Sequence, residues 1–127
     1  LGTNYYHHAN ICECCGRYDE HHICKSLINF AAILEWDETT GDEKIVCASW
    51  QEWKKRLLEG GEIWDEYRKQ HDIPEFIAKV ESMQKDARRR QYDWERDAGF
   101  QVAAGPNTNH QSWLDEDGFT FTAREFS

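Results

Sequence analysis

The sequence predicts an α+β domain: a small, mostly antiparallel sheet, two helices and a cysteine-rich knuckle at the amino end. Three observations carry that prediction. Four cysteines and two histidines crowd the run from Cys12 to Cys24. Apolar residues alternate along Ile28–Trp36 and again along Phe119–Ala123, the period of a half-buried strand. Two further segments place apolar residues three and four apart behind capping signals, as amphipathic helices do. The 127 residues are enough for one domain with a real core, and six Trp, six Phe and five Tyr offer large side chains to fill it.

Taken in order, Tyr5 to Lys25 reads as a short strand, a turn at Cys12 to Gly16 and a returning strand that carries His21 to Cys24. The spacing Cys12-x2-Cys15-Gly16 lets two thiolates converge on one tetrahedral ion, while the glycine accepts the backbone angles of the knuckle. Sulfur and imidazole donors at this density point to Zn2+, held by Cys12, Cys15, His22 and Cys24. His8, Cys14 and His21 stand as alternative donors. Adjacent Cys14 and Cys15 do not easily both face one ion from a tight turn, and neighbouring His21 and His22 point to opposite faces of a strand. Four protein donors would leave no water position, so the metal would stabilise a zinc-ribbon-like fold in residues 1–26 rather than catalyse. The odd total of five cysteines, four of them close in sequence, fits ligation in a reducing compartment better than a disulfide framework.

Residues 27–98 are expected to hold a strand hairpin and two helices. Ile28, Phe30, Ala32, Leu34 and Trp36 form one apolar face of a strand, Asp37 to Asp42 a turn, and Lys44 to Ala48 the return. Ser49 and Glu52 have capping-box spacing before a helix over Trp50–Glu59, which buries Trp50, Trp53 and Leu57 and stops at Gly60-Gly61. Ile63, Trp64 and Tyr67 suggest an edge strand. Asp72-Ile73-Pro74-Glu75 opens the second helix, whose stripe is Ile73, Phe76, Ile77, Val80, Met83 and Ala87, with a charged far end from Lys85 to Arg96. Residues 99–112, rich in Gly, Asn, Ala and Thr, read as a loop, and residues 113–127 as a turn and a terminal strand returning to the sheet.

The composition also excludes. A formal charge of −9 repels a nucleic-acid backbone at long range and makes a basic partner or a protein surface the easier default. The only segment suited to nucleic acid is 85–96, where Arg89 and its neighbours could meet phosphates, yet Asp86, Asp93 and Glu95 cancel three of its five positive charges. No apolar run is long enough to span a membrane. Lys25-Ser26 lacks the glycine that a phosphate-binding loop needs before its lysine, since Cys24 stands there. Asp115, Glu116 and Asp117 are consecutive, not alternating as in an EF-hand, and read as a solvated turn. Trp113, beside the loop, is the expected exposed binding aromatic.

With Cys12 to Ser26, the double Trp of Ser49 to Trp53, Ile63 to Tyr67 and the ending from Trp113 to Ser127 in view, the chain resembles a group of small proteins encoded by tailed bacteriophages. Such proteins look like Thr-Asn-Tyr-Tyr near the start, then Cys-x2-Cys-Gly-Arg, then His-Ile-Gly-Lys-Ser. The resemblance implies a phage setting and, by position, points to Cys12, Cys15 and His22, with Cys24 where those relatives have glycine. The expectation is a non-enzymatic, zinc-stabilised phage protein in the host cytoplasm that binds a phage or host protein. The alternatives are a metal-dependent hydrolase or nuclease using the same cluster, and a structural virion component.

Overall fold

The computed structural model describes residues 3–27, 29–83, 105–106 and 112–123. These residues form nine strands and two helices: β1 (Asn4–Ala9), β2 (Asp19–Lys25), β3 (Asn29–Ala31), β4 (Ile33–Asp37), β5 (Asp42–Cys47), α1 (Trp50–Leu58), β6 (Glu62–Asp65), β7 (Gln70–His71), α2 (Ile73–Ser82), β8 (Trp113–Leu114) and β9 (Thr120–Thr122). The fold class is α+β with a mostly antiparallel sheet, as the sequence predicts. The charged segment 85–96, with Arg89, and most of the 99–112 loop lie outside the described residues.

The first hairpin differs from a free ribbon. β1 and β2 pair antiparallel from Asn4↔Lys25 to Ala9↔Asp19, and they sit inside a seven-stranded sheet of order β7-β6-β1-β2-β3-β9-β8. β1 is paired on both sides, with β2 and β6, and β2 is joined on its other side to β3 at Cys24 and Lys25. Their register slips once: Tyr5 faces Cys24 while Tyr6 faces His22, which leaves Ile23 as the extra residue of a bulge. The slip turns Cys24 to the face of Tyr5 and leaves His22 on the face of Tyr6, so two residues that would share a face in a regular strand are sent to opposite sides.

The long alternating strand is two strands. Ala32 leaves the ladder, its amide donating to Thr122 O at 3.0 Å, and the chain re-enters as β4, which among the described residues pairs only with β5 in a separate two-stranded sheet. The phase of burial shifts with it: Phe30 and Ile33 are buried, whereas Trp36 is exposed. β6 is not an edge, since it pairs with both β1 and β7. β9 runs parallel to β3, the one parallel pair in the sheet as described.

Both helices begin as predicted. Ser49 Oγ accepts the Glu52 amide at 3.3 Å, and Glu52 reaches back to the Ala48 amide at 3.2 Å; Asp72 accepts the Glu75 amide at 3.1 Å. Trp50, Trp53 and Leu57 of α1, with Phe76, Ile77 and Val80 of α2, enter the core alongside Phe30, Phe119 and Phe121. Both helices cover the sheet face that carries Tyr5 and His7: Tyr5 packs on Phe76, and His7 meets Trp53 edge-on. Buried indoles keep polar partners, Trp53 Nε1 donating to Ala31 O at 2.8 Å and Trp113 Nε1 to Ala48 O at 3.1 Å. Trp113 is thus a core residue, 1% exposed and stacked on Phe121, not the exposed binding aromatic its place beside the loop suggests.

Helix α1 ends at Gly60-Gly61, both at positive φ. His7 Nε2 lies 2.8 Å from Gly60 O and must carry the proton there, because a carbonyl only accepts. Burial pushes the His7 imidazole below its ordinary range, and burial does the same to His22. Below about pH 6.5 the unfolded chain takes up protons that the native histidines resist, so stability is expected to fall as the pH drops through that value. Thermal melts at pH 7.5 and 5.5 should show the decrease, and His7→Gln should reduce it, leaving the part due to His22.

Candidate functional site

Residues that alternate away from the helices make the opposite sheet face. Tyr6 and His8 on β1, Glu20 and His22 on β2, and Glu62 and Trp64 on β6 share it, because the registers Tyr6↔Trp64 and His8↔Glu62 continue across the sheet those of Tyr6↔His22 and His8↔Glu20. A groove of about 770 Å³ opens there, its lining extended by Ile11, Gly16 and Tyr18 from the hairpin tip and by Glu66 and Arg68.

Aromatic rings line the groove. The His8 imidazole stacks on Tyr18, with centroids 3.9 Å apart and planes at 14°, and lies 6.1 Å from Trp64. Tyr6 stacks on His22 at 5.1 Å. Carboxylates anchored to these groups ring the surface: Glu20 Oε2 is 2.9 Å from His8 Nε2, Glu62 Oε1 accepts from Trp64 Nε1 at 3.2 Å, and Glu66 Oε1 accepts the Asn4 amide at 2.9 Å. The field is negative, and Tyr6 registers it. Burial first, then the charges of Glu20 and Glu66, push its phenol above the ordinary range, so the hydroxyl stays protonated. Asp65 has a structural task instead: its carboxylate accepts the Tyr67 and Lys69 amides at 2.8 and 3.0 Å and lies 2.9 Å from His71 Nε2. Burial opposes ionisation there, but the bonds from Lys69, His71 and Tyr67 hold the carboxyl below its usual range.

The predicted metal ligands separate into three places. Cys12, Cys14 and Cys15 are together at the hairpin tip, where Cys12 N donates to Arg17 O at 2.7 Å and Gly16 N to Cys12 O at 2.8 Å, with Gly16 at φ +74°. Amides of Cys15 and Cys14 and then their thiols point hydrogen bonds at Cys12 sulfur, which draws its thiol below the ordinary range. His22 is three rungs along β2 from Asp19, its Nε2 3.0 Å from Asn4 Oδ1. Cys24 is fully buried in the core, and burial pushes its thiol far up; Cys47, also buried, is raised to about 12. His21 pairs with His7 and so faces the helix side, while His8 belongs to the groove. The set Cys12, Cys15, His22 and Cys24 is therefore not assembled, the bulge at Ile23 being the reason that His22 and Cys24 diverge. Among the described residues no group of three or more His, Cys, Asp or Glu side chains is arranged to hold a metal ion.

Comparison with family models, with curated proteins and with solved structures finds no match. Among the described residues, no helix is long and apolar enough to cross a membrane.

The groove was absent from the sequence reading. Its signal lay in pairs two apart, Tyr6 with His8 and Glu62 with Trp64, each of which shares a strand face. Only the pairing of β1 with β6, more than fifty residues along the chain, brings the pairs together.

Proposed function

We propose that the chain is a non-enzymatic binding protein whose groove takes a Lys- or Arg-bearing segment of a partner protein, in a phage setting. The observation that carries this reading is the groove's chemistry: rings of Tyr6, Tyr18 and Trp64 beside the carboxylates of Glu20, Glu62 and Glu66, with Arg68 as the one cation among the described residues that line it. A cationic head placed over an aromatic face gains about 0.5–2 kcal/mol from the ring quadrupole, and carboxylates alongside add charge-assisted hydrogen bonds. The net charge of −9 steers a basic partner toward this surface. In the same reading, the thiol turn beside the groove holds zinc through Cys12 and Cys15.

Fluorescence anisotropy with a labelled Lys/Arg-rich peptide and an acidic peptide of equal length tests the proposal. The basic peptide should bind, more weakly as salt screens the charges. Glu20→Gln combined with Glu62→Gln, which keeps shape and hydrogen-bonding capacity, should weaken it roughly tenfold, the scale of one to two charge-assisted contacts. Equal binding of both peptides, or no loss in the double variant, would rule the groove out.

A further inference from the structure

Zinc in a structural site takes four protein donors, and of the three cysteines at the hairpin tip of one chain only Cys12 and Cys15 have the knuckle spacing Cys-x2-Cys, with no third donor arranged beside them among the described residues. We propose that zinc at this turn joins two copies of the chain, Cys12 and Cys15 of each completing one tetrahedron of four thiolates. This rests on the zinc reading of the turn and goes further by locating the missing donors.

The other candidate donors of the same chain are held away by the sheet. His22 is three residues along β2 from Asp19, about 10 Å at the rise of a strand, and it is engaged by Asn4 and stacked on Tyr6. Cys24 lies in the core on the opposite face. His8 is nearer, but it is covered by Tyr18 and bonded to Glu20. Bringing any of these to the tip would break pairing in the middle of a seven-stranded sheet.

The tip itself suits a shared site. Cys15 is exposed and Cys12 half-exposed at the apex of a hairpin, where a donor from outside the chain can reach them. The turn is already formed by its bonds between Cys12 and Arg17 and between Gly16 and Cys12, which leaves little ordering for the metal to impose. A two-fold arrangement uses the same pair on both sides and closes on itself. Cys14, vicinal to Cys15, is left outside the tetrahedron. Because Ile11, Gly16 and Tyr18 line the groove, joining two tips would set two grooves next to each other and favour partners with repeated basic segments.

Native mass spectrometry of the full reduced chain, titrated with zinc, decides the matter. The expected species is a dimer carrying one zinc, returned to monomer by a chelator. Cys14→Ser should behave as the parent. Cys12→Ser and Cys15→Ser should lose at least tenfold in dimer at equal zinc while keeping the parent's circular dichroism, since the central strands do not depend on the metal. One zinc on a monomer, or a dimer that survives chelation, overturns the shared site and leaves the zinc reading standing. Failure of the unsubstituted chain to take up zinc overturns both.

Discussion

Gly61→Ala is expected to destabilise the chain by about 3 kcal/mol or more, the sum of left-handed backbone strain and overpacking. Gly61 has φ +89°, where an L side chain is strained. A Cβ there would also run into His8 O and come within 2.6 Å of His7 Nε2. Neither obstacle is the free end of a flexible side chain: one is the backbone of a central strand, and the other is an imidazole pinned to Gly60 O. Gly41→Ala is the control. It shares the positive φ, at +73°, but nothing lies within 4 Å of its added methyl, so only the backbone cost of about 1 kcal/mol remains. Urea unfolding of the two variants separates the effects. Equal midpoints would mean that the approach of Gly61 to β1 carries no weight in stability.

Asp115→Ala should cost about 3 kcal/mol, because buried amides left without acceptors each lose on the order of 1 kcal/mol or more. Asp115 is the clasp between the last hairpin and the first helix: Oδ2 accepts the Trp50 amide at 2.8 Å, and Oδ1 accepts those of Phe119 and Asp117 at 2.8 and 3.1 Å. Burial pushes its carboxyl upward against the pull of these bonds. Differential scanning calorimetry should find a melting temperature lower by roughly 10 °C, whereas Glu116→Ala, at an exposed position one residue on, should shift it little. A small effect at Asp115 would reduce the clasp to a surface turn.

Asp115 also marks the boundary of what the sequence discloses. Three consecutive acids before a glycine signal a turn, which is what forms, but nothing local says that the first acid will reach a helix start 65 residues earlier in the chain. Caps and short-range periods were legible for the same reason in reverse. Ser49, Glu52, Asp72 and Pro74 act within one helical turn, and both helices start where these residues place them. Alternation alone misplaced Leu34 and Trp36, because β4 leaves the main sheet at Ala32 and the buried phase moves to Ile33. Trp113 is core because its hairpin partner, Phe121, is held by a parallel pairing with Phe30. The cysteine spacing identified the thiol turn, while the bulge at Ile23, invisible to any pattern of period two, divided the expected ligand set.

The margins of the large sheet bear on how the molecule behaves among other chains. Its outer strands, β7 and β8, are two residues long each. A margin of that length presents few unpaired amide and carbonyl groups, so it offers a poor template for strand addition, the usual route by which aromatic-rich sheets recruit further chains into aggregates. At its two outer strands the large sheet is thus guarded against strand addition, and the longer outer edges belong to the separate β4–β5 pair.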